Sequence, residues 1–343
     1  MTDKVNLVGK TLAELEELAA ELGEPKFRAE QIFNWVYNQQ VADWVEMTNL
    51  SKELRRKLAE KASIARLKIV NRQQSQDGTE KFLLELADGE RIETVYLPMR
   101  DGRKSLCVST QVGCAMGCNF CATGQQGLTR DLTAGEIINQ ILTLEQEKQV
   151  TITNIVLMGM GEPLANYREV MKAIRLLNHD QGLNIGSRRI TVSTCGLVPE
   201  IKQLAQEGLQ LTLAVSFHAP TDDLRSEMMP INERYPLAEV LAACDYYSQQ
   251  TGRRVSFEYA LVAGVNDSRR QAEKLAELLQ GQLAHVNLIP INRVTEVEYS
   301  SPPEQVIADF KAELAAKNIS ATVRTERGAD INAACGQLKS REG

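Results

Sequence analysis

The sequence lacks several things, and each gap closes off a class of answer. It has no run of eighteen or more apolar residues, so no membrane-spanning helix is expected. The opening stretch MTDKVNLVGKTLAELEELAAELG carries Asp and Glu early and has no apolar core, which argues against a secretory signal. The cytoplasm, where thiols stay reduced, is the expected compartment. No G-x-G-x-x-G follows a candidate strand, since GMGEP at 159–163 lacks the last glycine, so a dinucleotide-binding sheet is not expected. Histidine occurs only as His179, His218 and His285, none of them in the cysteine-rich loop. The formal charge of −6 offers no general attraction for a phosphate backbone.

The 343 residues, 43% hydrophobic and 24% charged, suit one large α/β domain with an appendage. Leucines at 3–4 spacing predict amphipathic helices over 10–23 and 26–40, and Leu50, Leu54 and Leu58 predict a third. Residues 1–75 therefore read as a small helical domain. Asp77-Gly78, Asp88-Gly89 and Asp101-Gly102 then punctuate TEKFLLEL and RIETVYLP, which predicts a β-meander extension over 76–103. From 104 to 325 strands alternate with helices: SLCVST, NIVLMG, RRITVST, LQLTLAVSF, RVSFEYALV and HVNLIPI against 133–149, 167–178, 198–207, 236–249, 267–280 and 303–316. Six βα units predict a parallel sheet with helices outside, in the form of a partial (βα)6 barrel. Residues 326–343 form a C-terminal loop. In such an array, functional groups collect at the C-terminal strand ends. The marked residues fall there: Cys114–Cys121, Gly161-Glu162-Pro163, Ser193-Thr194, Ser216-Phe217-His218 and Asn292.

Seven cysteines in a reducing compartment point to metal or catalysis. CAMGCNFCATG, residues 114–124, spaces Cys114, Cys118 and Cys121 as C-x3-C-x2-C, and no other cysteine follows before Cys195. A structural zinc site closes four ligands, and an ordinary iron–sulfur cluster takes four cysteines. Three leave one iron open to a substrate. With Phe120 just before the last cysteine, the motif resembles the signature of the radical S-adenosylmethionine superfamily. That resemblance implies a [4Fe-4S] cluster on Cys114, Cys118 and Cys121. S-adenosylmethionine would chelate the open iron and be split to a 5′-deoxyadenosyl radical, with the protein supplying geometry. It further implies that Gly161-Glu162 binds the methionyl amine, and that Ser193, Ser216, Phe217, His218 and Asn292 add cofactor contacts.

Two further cysteines narrow the reaction. Cys107 lies on the strand entering the cluster loop, and Cys335 lies in the polar, glycine-bearing RTERGADINAACGQL, where a reactive thiol is expected. Cys195 and Cys244 read as small buried hydrophobes. CVSTQVGCAMGCNFCATGQQG, MGMGEPLANY, RRITVSTCGLVPEI, AVSFHAP, EYALVAGVND, NLIPIN and RGADINAACGQL together closely resemble the RlmN-type RNA methyltransferase family, across residues 8–338. That family methylates carbon 2 of adenosine in 23S ribosomal RNA, at the peptidyl transferase centre, and in transfer RNA, 3′ of the anticodon.

The resemblance implies two S-adenosylmethionine molecules per turnover. One methylates Cys335; the other is cleaved, and its radical takes a hydrogen from the S-methyl group. The resulting carbon radical adds to carbon 2, and Cys107 resolves the adduct through a transient disulfide with Cys335. Glu93 matches the family's proton acceptor, with Cys107 as the competing candidate. A flavodoxin or ferredoxin is the implied electron donor, and a monomer is expected. Two other readings stay open: a sister activity on carbon 8 of the same ribosomal adenosine, which no single residue separates from carbon 2, and a non-catalytic iron–sulfur or zinc RNA-binding protein, which would need a fully ligated metal.

RNA must deliver a base out of its stack to such a site. Residues 51–75 carry a local net charge of +6 and read either as a solvated helix face or, with Arg188-Arg189, as a phosphate-binding surface. The family likeness makes the N-terminal domain an RNA-positioning module. The Pro- and acid-bearing stretch 293–305 reads as a loop.

Overall fold

A computed structural model describes residues 4–292 and 298–339, so the first part of the 293–305 loop lies outside the described residues. The N-terminal helices are α1 (Leu12–Glu21), α2 (Phe27–Phe33) and α3 (Lys52–Lys61). Thr11 and Glu14 form a capping box on α1, Ser51 caps α3, and α2 runs on into a π-helical turn over Asn34–Asn38. Leu15, Ile32, Phe33, Leu54 and Leu58 are buried between them. The Tyr37 hydroxyl accepts from Gly9 N at 2.8 Å and donates to Lys10 O at 2.8 Å, which ties the entering chain to α2.

The ten strands of the main sheet lie side by side in chain order: β1 (Lys68–Gln74), β2 (Glu80–Glu85), β3 (Arg91–Pro98), β4 (Lys104–Cys107), β5 (Asn154–Leu157), β6 (Ile190–Thr194), β7 (Thr212–Ser216), β8 (Val255–Leu261), β9 (Ala284–Pro290) and β10 (Ala321–Val323). The pairs from β1 to β4 are antiparallel and those from β4 to β10 parallel. The sheet order is linear, so the barrel is open, as six units predict. The three Asp-Gly turns join β1–β4 as expected, each glycine at φ +85° and each aspartate accepting from the backbone two residues on.

The helices that follow are α4 (Ala122–Gln125), α5 (Ala134–Lys148), α6 (Tyr167–Asn178), α7 (Val198–Ala205), α8 (Asp222–Met228), α9 (Leu237–Thr251), α10 (Arg269–Leu279) and α11 (Glu304–Ala316). The six helices expected after the strands are present within a few residues, and Thr133–Glu136 caps α5. Three features depart from the sequence reading. Residues 68–74, assigned to the helical domain, are the outermost meander strand; their side chains are mostly exposed, so they carry little apolar pattern. Beyond the six parallel strands, the short β10 adds a seventh at the edge. The short α8 follows β7 and holds the buried Arg225.

Candidate active site

The cluster loop leaves β4 and is closed at its base by an antiparallel pair, Gln111–Gly113 against Leu128–Asp131. Inside it, Cys114, Cys118 and Cys121 all line one cavity of about 160 Å3 at the C-terminal ends of the parallel strands. Among the described residues, no three His, Cys, Asp or Glu side chains converge as they would on a single ion. The three thiols instead border a volume, with Glu162, Ser193, Ser216 and His218 on its other walls. That donor set fits a multi-iron cluster with one open corner. Burial pushes the Cys114 thiol up to about 12 and raises that of Cys121, and a metal bound there would displace these protons.

Gly161 turns at φ +101°, and a Cβ there would lie 2.5 Å from Gln111 Cβ, so only glycine fits. The turn sends Glu162 into the cavity, 2% exposed. Its Oε2 accepts from Cys195 N at 2.7 Å and its Oε1 from Leu164 N at 3.0 Å. Burial raises its pKa while these amides oppose the rise. The Thr194 hydroxyl and the Cys195 thiol also hydrogen-bond to this carboxylate.

His218 sits at φ 57° with Nδ1 accepting from Ala260 N at 2.9 Å. Burial, aided by the Arg225 charge, holds its pKa down to about 3. The ring is therefore neutral with its proton on Nε2, a donor held edge-on to Phe120. Arg225, fully buried, donates to Cys195 O at 2.7 Å, Ser216 O at 3.1 Å and Phe217 O at 3.2 Å, and so fixes the ends of β6 and β7. Ser193, Ser216 and Asn292 face the cavity. Phe217 does not: its side chain is fully buried and packs edge-to-face on Phe257, 5.4 Å between ring centroids.

A second cavity of about 280 Å3 adjoins the first. Cys107, Val95, Leu97 and Met99 line it, and Cys335, Asn292, Arg324 and Met158 line both. Cys335 thus stands on the wall between the cluster cysteines and Cys107. Burial, with the Cys335 charge nearby, pushes the Cys107 thiol up to about 12. Among the described residues all seven cysteines are free thiols.

The tail is held by distant partners. Asn292 Nδ2 donates to Cys335 O at 3.0 Å, Ala122 N to Gly336 O at 2.8 Å, and Thr123 Oγ1 to Leu338 O at 2.6 Å. Lys81 Nζ reaches Asn332 O at 3.1 Å and Glu93 Oε1 at 2.8 Å, and Lys339 N donates to Glu93 Oε2 at 2.9 Å. Glu93 is 6% exposed and is not among the residues lining either cavity. Its pKa is raised by burial, with Lys81 working against the rise.

Sequence reasoning passed over four residues here. Cys195, read as a small buried hydrophobe, lies 4.0 Å sulfur to sulfur from Cys118 and lines the cluster cavity; its place at the end of β6 was the available signal. Cys244 is the core residue expected. Glu258, Arg324 and Met158 gave no motif, because only tertiary folding brings them together.

The basic stretch is largely occupied. Arg56, Lys57, Lys68 and Arg72 pair with Glu60, Glu53, Glu85 and Glu80, and Arg66 holds the carbonyls of Gln40 and Val41. Arg188 and Arg189 precede β6, at the opposite end of the strand from the cavity.

Comparison with known proteins agrees with this architecture. Residues 5–64 match the model of the ribosomal RNA large subunit methyltransferase N-terminal domain, and residues 108–278 match the radical SAM superfamily. A protein of Geobacillus thermodenitrificans named "Probable dual-specificity RNA methyltransferase RlmN" is 50% identical, over 97% of this chain and 92% of its own. One of Alkaliphilus oremlandii with the same name is 50% identical over 99% and 98%. The crystal structure of a radical SAM methyltransferase from Sphaerobacter thermophilus superposes with a TM-score of 0.94 at 52% identity, covering 98% of this chain and 100% of that one. The chain belongs to the RlmN family of radical S-adenosylmethionine RNA methyltransferases.

Proposed function

We propose that this enzyme methylates carbon 2 of adenosine in 23S ribosomal RNA and transfer RNA, using Cys335 as a methyl carrier. The observation behind this reading is the position of Cys335 on a wall shared by two cavities, one with the cluster cysteines and the other with Cys107. Superfamily membership brings a [4Fe-4S] cluster and S-adenosylmethionine. When bound, the cluster supplies the electron that splits S-adenosylmethionine reductively. Cys114, Cys118 and Cys121 are the residues to hold it. Glu162, Ser193, Ser216, neutral His218 and Asn292 are the polar groups to seat S-adenosylmethionine; Phe217 contributes through its backbone.

Carbon 2 of adenine is electron-poor and carries a non-acidic hydrogen, so ordinary polar methylation fails. A carrier thiol divides the task. Cys335 would accept a methyl group from one S-adenosylmethionine and hold it for transfer to carbon 2, the radical chemistry being supplied by reductive cleavage of a second. The apolar wall of Val95, Leu97 and Met99 suits the face of an extruded base, with Cys107 within the same cavity. Cys107 then displaces the product by pairing with Cys335.

Glu93 is the proton acceptor by family likeness. Lys81 Nζ meets one of its oxygens and Lys339 N donates to the other, while burial raises its pKa and so favours the protonated form. Cys107 is the competing acceptor. The N-terminal domain (1–75, of which 68–74 join the sheet) positions the RNA, and a flavodoxin or ferredoxin reduces a monomeric enzyme. The RlmN relatives do not favour a carbon-8 activity.

The test is Cys107→Ala. It is expected to trap RNA covalently on Cys335, seen as a protein–RNA species that survives denaturation. Normal turnover with no such species would overturn the resolving role.

A further inference from the structure

Arg324 begins where β10 ends; its backbone N–H continues the ladder to Leu288 O at 2.8 Å. Its Nη1 lies 3.9 Å from Cys335 Sγ, 3.4 Å from Glu258 Oε2 and 3.9 Å from Met158 Sδ. Glu258 is 4% exposed, and its other oxygen accepts from Asn287 Nδ2 at 2.8 Å. One guanidinium is thus shared between a buried carboxylate and the sulfur read as the methyl carrier. The other titratable or charged groups around the two cavities are Cys107 on β4, Glu326 and Arg327 beyond β10, and Glu162, Cys195, His218, Cys114, Cys118 and Cys121 on the far wall. Among the described contacts, Arg324 is the charged group that meets the Cys335 sulfur.

We infer that Arg324 is the charge partner of Cys335, stabilising its sulfur as an anion for methyl transfer, with Glu258 holding the guanidinium in place and dividing its charge. The inference rests on the reading of Cys335 as carrier. In the step concerned the thiol gives its proton to solvent. The sulfur lone pair forms a bond to the methyl carbon, and the methyl–sulfonium bond breaks with its electron pair passing to the departing S-adenosylhomocysteine. The product is a neutral thioether that no longer competes for the guanidinium. Arg324 then belongs to Glu258 alone, so the pair also distinguishes the unloaded tail from the loaded one. A guanidinium is permanently charged and suits this task better than a titrating cation.

The test reads the sulfur directly. Protein from iron-limited cells, with Cys335 confirmed unmethylated by mass and the cluster then rebuilt, is treated with iodoacetamide over a range of pH. Alkylation is followed on the tryptic peptide Gly328–Lys339, which holds Cys335 as its single cysteine. Arg324→Gln is expected to slow alkylation at neutral pH about tenfold, from loss of one charge near 4 Å. The same variant should keep the limiting rate at high pH, where every thiol is ionised. Arg324→Lys should restore most of the neutral rate, and Glu258→Gln should raise it above the parent. A mere loss of packing would not give opposite shifts. Identical pH profiles for parent, Arg324→Gln and Glu258→Gln would overturn the inference. A methyl found on Cys335 alongside identical profiles would leave the carrier reading standing and remove Arg324 alone.

Discussion

The cluster loop and the C-terminal tail meet at one cavity but are held there by different means. The loop is a local structure: three cysteines within eight residues, a paired base and a glycine turn from the next strand end bring its thiols together. Among its described residues the tail has almost no regular structure beyond a turn at Ala329–Ile331. It is held by single bonds from Lys81, Glu93, Thr123 and Asn292, residues far away in the chain. A scaffold that must hold a cluster benefits from local redundancy. For a segment proposed to carry a group between two cavities, bonds that can be broken one at a time suit the task.

The sharpest separation of the two regions is Cys335→Ala. RNA methylation should fall below detection while the iron–sulfur absorbance and iron content stay at parental levels. Residual methyl transfer would sink the carrier role, and loss of the cluster would show that tail and loop are one unit.

Lys81→Met comes next. It removes the ion pair to Glu93 and the bond to Asn332 O at once, a loss on the order of 1–3 kcal/mol at a buried site. Trypsin should cut after Arg327 several-fold to tenfold faster, with cluster absorbance unchanged. Equal cleavage rates would mean that the tail is held elsewhere.

The smallest effect concerns the loop side alone. His218 has a folded pKa near 3, below its ordinary value of 6.5, so the folded protein excludes a proton that the unfolded chain accepts. Its contribution is present above pH 6.5 and is lost as pH falls toward 3, at a limiting slope of about 1.4 kcal/mol per pH unit. Denaturation midpoints between pH 7 and 5 should fall less steeply in His218→Gln. Parallel slopes would contradict a buried neutral imidazole.

The same contrast decides what could be read from sequence. The six parallel strands and their helices announce themselves through apolar runs and caps, because each element buries its own face. The loop announces itself by spacing. The edge strands β1 and β10 stay hidden because one is polar and the other only three residues long. Cys195 is misread because a lone cysteine is by default a small hydrophobe, and its 4.0 Å approach to Cys118 arises only when β6 lies beside the loop. Arg324 and Glu258 are 66 residues apart and acquire meaning only as a pair. Glu93 lies on a recognisable strand, yet its engagement with Lys81 and Lys339 could not be read from it.

The central claim is that Cys335 carries the methyl group. The most direct measurement is the mass of the tryptic peptide Gly328–Lys339 from protein purified with its cluster intact. One added methyl is expected, located on the Cys335 sulfur by fragmentation. An unmodified Cys335 in protein with a full iron–sulfur complement would contradict it.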